Sequence, residues 1–313
     1  AMALFLCGAL AAMYVGVLYA PPILLKIRAK TQRQLLLQRF VCATLASVLS
    51  PLVCFIILPV GSSSKLNLMG IRSDYLMQAT LYPLLLTALL YLGPLFVELL
   101  ELIDGEQAVA TDHGFMASLI FLGQDVVAWR NYVVAPLSEE IVFRACMIPL
   151  LLCGGYSPTA AILISPTFFS LAHVHRFWEL VHHERFTPKR AAFVVGKFSF
   201  PSCSFLILQA TLLYFPVAQL GYTIVFGCYA AFLYVRTGHL IAAVVPHIFC
   251  NIMGFPDLVR ACQNRVLAVV HIVGLVAFMA LAAPLSSPAL YNNDVLDCKC
   301  WQGFCGASSS SKP

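Results

Sequence analysis

The sequence predicts an all-α, polytopic membrane protein of about eight transmembrane helices, and three observations predict it. Of its 313 residues, 60% are hydrophobic and 11% charged, against roughly 45–50% apolar and about 25% charged in an average soluble domain. The apolar residues fall into runs that suit a hydrocarbon core of roughly 30 Å, which takes about 20 residues of helix. Lys and Arg cluster in a few connecting stretches, as they do in loops on the cytosolic side of a membrane. This composition excludes a soluble globular enzyme. It also excludes disorder and nucleic-acid binding, both of which need charge that the chain lacks.

In chain order the runs are Met2–Ile23, Phe40–Val60, Leu76–Val97, Asn131–Leu152, Pro158–His173, Ala191–Phe215, Val217–Val235, Leu240–Phe255 and Val266–Pro284. Several are short, and Pro201 interrupts one of them, so the runs amount to about eight spans. Met2–Ile23 has no basic start and is too long for a secretory signal, so it reads as a membrane helix. The short Gly114–Gly123 run reads as a re-entrant or interfacial piece. Lys26, Arg28, Lys30, Arg33 and Arg39 form one basic cluster, and Arg176, Arg185, Lys189 and Arg190 another. Four spans separate the two, which is the even number required if both face the cytosol. The acidic loop with Glu98, Glu101, Asp104, Glu106 and Asp112 then lies on the same side. The twelve cysteines show no C-x-x-C spacing and read as small buried hydrophobes, apart from the denser Cys298, Cys300 and Cys305. With no internal repeat, the chain divides into one transmembrane domain over 1–286 and a polar, Cys-containing tail over 287–313.

An ionisable side chain inside a span is costly and marks function by default. Three clusters carry them. In Ala135-Pro136-Leu137-Ser138-Glu139-Glu140-Ile141-Val142-Phe143-Arg144, Glu140 and Arg144 are four apart and share a helix face, so they can pair. Glu139 lies about 100° round the helix and is left as the free carboxylate. The second cluster, Phe168-Phe169-Ser170-Leu171-Ala172-His173, turns His173 inward. His175 fits the headgroup zone, and His182 and His183 fit a polar loop. In the third, His247 and Asn251 share a face four residues apart, while His239 sits beside Arg236 at the interface. Counted along their helices, Glu139, His173 and His247 reach a similar depth in the cytosolic third of the bilayer, consistent with one site.

A carboxylate beside an imidazole can hold and deprotonate a water that attacks a carbonyl. A second imidazole and an Asn amide supply donors for the oxyanion so formed. Glu139 with His173 as water activators and His247 with Asn251 as oxyanion hole therefore describe an amide hydrolase. A zinc hydrolase using His173, His247 and a Glu is a second reading, although no H-E-x-x-H is present. A proton relay in a transporter is a third, and it predicts repeated half-domains.

The ordered set Glu139-Glu140-x-x-x-Arg144, Phe169-x-x-x-His173 and His247-x-x-x-Asn251 resembles the motifs of the type II CAAX prenyl endopeptidases, within the ABI group of intramembrane proteases, and above all their Ras-converting branch. The segments that carry it are Ala135–Leu150, Phe168–His173 and Arg236–Pro256, with Pro83–Leu95 upstream; the core motifs fall within 131–256. The resemblance implies removal of the last three residues from farnesylated or geranylgeranylated CAAX proteins such as Ras-like small GTPases. It implies an endoplasmic-reticulum membrane enzyme whose intramembrane cavity opens to the cytosol, working by a glutamate mechanism with no metal and no other cofactor. By the same resemblance Glu139 and His173 position the water, His247 and Asn251 form the oxyanion hole, and Glu140, Arg144 and Phe169 support them. The chain departs from the pattern in the long stretch Phe186–Phe215 and in the Cys-containing tail.

Overall fold

A computed structural model describes residues 1–23, 31–58, 62–103, 126–182, 204–254 and 264–293. Most of both basic clusters, the Gly114–Gly123 run, most of the acidic loop, and Cys298, Cys300 and Cys305 lie outside the described residues. Among the described residues every regular element is helical. The order is α1 (Met2–Ile23), α2 (Gln32–Ile57), α3 (Ser62–Leu68), α4 (Leu76–Leu90), α5 (Leu92–Ile103), a composite helix α6 over 126–153, α7 (Pro158–His182), α8 (Ser204–Thr237), α9 (Ile241–Met253) and α10 (Arg265–Leu285). A 3₁₀ turn, Pro288–Tyr291, follows.

Four of the described helices are long and apolar enough to cross a membrane: Met2–Ala20, Arg33–Ile57, Leu220–Thr237 and Arg265–Leu285. Their outer faces support that reading. On α10, Val266, Ile272, Val276 and Met279 are each more than half exposed. Such a stripe would be a liability in water and is at home against lipid. Polar caps start two of these helices. The Thr31 hydroxyl accepts from the Gln34 amide at 3.2 Å, and the Asn264 side chain accepts from Val266 and Leu267 at 3.0 and 3.2 Å, satisfying amides that have no partner inside the helix.

Three of the expected runs differ in the structure. The run Leu76–Val97 is broken: α4 ends at Leu90 and α5 begins at Leu92, with a bend of 81°. The cause is written in Leu92-Gly93-Pro94. Proline is tolerated in a first helical turn and cannot continue an existing helix. Gly93 also lets α5 lie on α10, because a Cβ there would fall within 1.9 Å of the His271 ring. From Ser204, where its described residues begin, the run Ala191–Phe215 joins Val217–Val235 in the 34-residue α8, which continues through Pro216.

Helix α6 is central. Residues Val142 to Leu152 are buried without interruption, packed by α1, α2, α7 and α8. Two π-helical stretches, Arg130–Val134 and Ile141–Cys146, alternate with α-helical Val126–Trp129, Ala135–Glu140 and Met147–Cys153. Such wide turns occur mostly as single turns at functional positions. Neighbours bond to carbonyls in both. Ser165 donates to the Phe143 carbonyl at 2.7 Å, and Asn251 donates to that of Asn131 at 2.9 Å.

α7 runs along α8 and crosses it closely at Gly227. A Cβ on Gly227 would come within 2.8 Å of Pro166 and 3.4 Å of the Arg144 guanidinium. Gly227→Val is therefore expected to push α8 away from α6 and α7, with the 1–3 kcal/mol penalty of overpacking or more. A thermal unfolding scan in detergent checks this; an unchanged midpoint would contradict the close approach. At the far end, Pro288–Tyr291 and Asn293, the first part of the segment read as a tail, fold onto α8, and the Asn293 amide donates to the Val235 and Arg236 carbonyls at 3.0 Å.

Candidate active site

The three polar clusters converge on a cavity of about 530 Å³. Glu139, Phe169, His173, His247 and Asn251 all line it, brought there by α6, α7 and α9. Glu140 and Arg144 lie directly behind, fully buried.

The adjacent carboxylates divide as their helical phase predicts. Glu140 Oε1 accepts from Arg144 Nη1 at 2.9 Å. The guanidinium also reaches the Gly227 carbonyl at 3.4 Å and lies 4.6 Å over the Phe169 ring, a cation–π contact that replaces part of its lost hydration. Glu139 keeps a side chain 16% exposed and turned to the cavity.

His247 links the two. Its Nδ1 donates to Glu140 Oε1 at 2.7 Å, which leaves Nε2 on the cavity side, 3.7 Å from Glu139 Oε2. A carboxylate fixing one ring nitrogen so that the other is presented for chemistry is a recurrent way to orient histidine. Glu140 therefore holds both Arg144 and His247. Sequence spacing shows only the first of these partners, since the second lies 107 positions away.

His173 is oriented differently. Its Nδ1 donates to the Phe169 carbonyl one turn earlier at 2.8 Å, so Nε2 is the ring nitrogen that the backbone does not hold. Phe169 is the spacer of the site: its ring lies edge-on to His173 with centroids 4.7 Å apart, and to His247 at 6.2 Å. Phe226 of α8 covers the other side of His247 at 4.7 Å. Asn251 reaches back to α6, where its amide nitrogen donates to the Asn131 carbonyl. His239 is away from the cavity, fully buried beside Arg72, Asp74 and Tyr291. Burial, with the Arg72 charge second, lowers its pKa from 6.5 to about 4 and keeps the ring neutral. The side chains of His175, His182 and His183 lie outside the described residues.

Some contributors are not among the motif residues. Phe226 shields His247, Asn131 anchors Asn251, and Tyr14 of α1 bonds Ser138 at 3.0 Å, one residue before the carboxylates. Asn131 was legible only as the start of a hydrophobic run, and Tyr14 and Phe226 only as aromatic residues within runs. Among the described residues, no group of three or more His, Cys, Asp and Glu side chains is arranged to hold a metal ion.

Known proteins match this chain along most of its length. The profile of the family described as Type II CAAX prenyl endopeptidase Rce1-like matches residues 122–253, the stretch that holds all three clusters. A CAAX prenyl protease 2 of Arabidopsis thaliana is 39% identical over 320 residues, covering 97% of this chain and 96% of that protein. The chain belongs to the CAAX prenyl protease 2 family. The Homo sapiens CAAX prenyl protease 2 is 36% identical over 306 residues, covering 93% of this chain and 83% of that protein. That of Caenorhabditis elegans is 29% identical over 251 residues, 78% and 83% of the two chains. No solved structure matches. As a member of this family the chain is a membrane peptidase, and every ionisable group that lines the site lies within the family's matched segment or on the helices packed against it.

Proposed function

We propose that this chain removes the C-terminal tripeptide from prenylated CAAX proteins, Ras-like small GTPases among them, at an endoplasmic-reticulum membrane with the cavity open to the cytosol. The observation that carries this reading is the convergence of Glu139, His173 and His247 on one cavity, with the His247 ring held by Glu140 at 2.7 Å.

In this reading a water lies between the Glu139 carboxylate and the free Nε2 of His173. As its oxygen attacks the carbonyl carbon of the prenylated cysteine, its proton passes to the carboxylate. The electron pair of the carbonyl moves onto oxygen, and the oxyanion takes hydrogen bonds from Asn251 and from His247. The latter role requires a proton on Nε2 as well as the one that Nδ1 gives to Glu140. Collapse breaks the C–N bond, the proton returns to the leaving amine, and a tripeptide departs. The lipid side of the substrate has its own driving force, since each buried CH₂ gains about 0.8 kcal/mol in the bilayer.

Hydrolysis of a farnesylated CAAX peptide by the purified chain, with and without a strong chelator, tests the proposal. Cleavage at the prenyl-cysteine that survives chelation is the expected result. Loss restored by zinc would replace the glutamate mechanism with a metal one, and no cleavage at all would return the site to the proton-relay reading.

A further inference from the structure

The same cavity presents two guanidinium side chains, Arg39 and Arg130, to which the hydrolytic steps give no role. Arg39 lies near the start of α2, and α2 packs against the first π stretch of α6, which Arg130 opens. Along the cavity side of α6 come Arg130 and Asn131, then Val134 and Ala135, then Glu139. The wide turn lets residues 131, 135 and 139 face the same space.

The spacing has a chemical counterpart. Arg130 precedes Glu139 by nine positions, roughly 13 Å of helix at about 1.5 Å per residue. A tripeptide in extended form reaches about 10 Å at roughly 3.3–3.6 Å per residue, and the Arg side chain covers the difference. A substrate cut three residues from its end, which is the activity proposed above and on which this inference rests, carries a free carboxylate at that distance from the scissile bond. A carboxylate that leaves bulk water gains from a cation beside it, and the planar guanidinium matches its two oxygens.

We propose that Arg130, with Arg39, is the receptor for the free C-terminal carboxylate of the substrate, so that the site measures three residues from chain end to cut. Asn131 couples this end to the reaction centre. Arg130 donates to the Asn131 side chain at 3.4 Å, and the Asn131 backbone carbonyl holds the Asn251 amide.

Two farnesylated peptides that differ only in a terminal acid or carboxamide test the assignment. Wild type should cleave the acid with kcat/KM about tenfold to a hundredfold above the amide, as expected for charge-assisted hydrogen bonds. Arg130→Gln should lose that margin, mainly through KM, with a loss on the acid peptide several-fold larger than on the amide; Arg130→Lys should recover part of it. Arg39→Gln should show the same selective loss, and it decides the matter together with the wild-type ratio if the Arg130 variant does not fold. Equal losses on both peptides would overturn the proposal and point to a structural or lipid-phosphate role. Equal wild-type rates on acid and amide would also overturn it while leaving the endopeptidase reading intact, whereas cleavage of neither peptide would remove both.

Discussion

Glu139→Gln should lower kcat for a farnesylated CAAX peptide by about 10²–10⁴, the usual contribution of a positioned general base, while peptide affinity and thermal stability stay close to wild type. The substitution keeps the shape of the side chain and removes only its basicity. Glu139 is suited to this test because it is not the carboxylate that holds the interior together. Its carboxylate faces the His247 ring at 3.7 Å, and its side chain retains some exposure, so little folding energy depends on its charge. Single-turnover kinetics and a separate binding titration check it. Turnover within a few-fold of wild type would take the base role away from Glu139.

Arg144→Ala should have the largest effect on stability. The guanidinium is fully buried, and its loss leaves the Glu140 carboxylate in an apolar interior with only the His247 ring of its two partners. Breaking a buried pair from one side typically costs about 3–5 kcal/mol, a large part of the roughly 5–15 kcal/mol that keeps a domain folded. The variant should yield little folded protein, or melt far below wild type in detergent. Arg144→Met combined with Glu140→Gln separates charge from packing. It should recover much of the melting temperature, because neither charge is left alone, and it should stay inactive, because His247 loses the carboxylate that orients it. If the double variant is as unstable as Arg144→Ala, the effect comes from packing.

What the sequence made legible follows from what helical periodicity can express. Residues three or four apart share a face, so the Glu140–Arg144 pair, the separate direction of Glu139 and the common face of His247 and Asn251 could be read without coordinates. The apolar runs located most of the helices for a similar reason, since a span is a local property of about 20 residues. Periodicity carries no information about a partner on another helix. The bond from Glu140 to His247, the cover of Phe226 and the anchorage of Asn251 on Asn131 therefore came only from the fold. The bend at Tyr91 was a different kind of miss. Gly93-Pro94 marks it, but hydrophobicity continuous on either side reads as a single run. The merging of two runs into α8 is the reverse case, a proline that the helix accommodates.

The π turns of α6 bear on how this chain can vary. A π turn holds one residue more than the α turn it replaces, so Arg130–Val134 and Ile141–Cys146 each act as a one-residue insertion absorbed without a loop. Deleting one residue from either stretch would restore an ordinary α turn and rotate everything beyond it by about 100°. The carboxylate pair lies between the two insertions. The cavity and the packed interior thus make separate demands on helical phase, and one helix meets both because its register is reset on each side of Glu139 and Glu140. Substitutions leave that phase intact, whereas changes in length do not, so positions of 130–146 other than Arg130, Asn131, Glu139, Glu140 and Arg144 should tolerate conservative exchange of side chains far better than the gain or loss of a single residue.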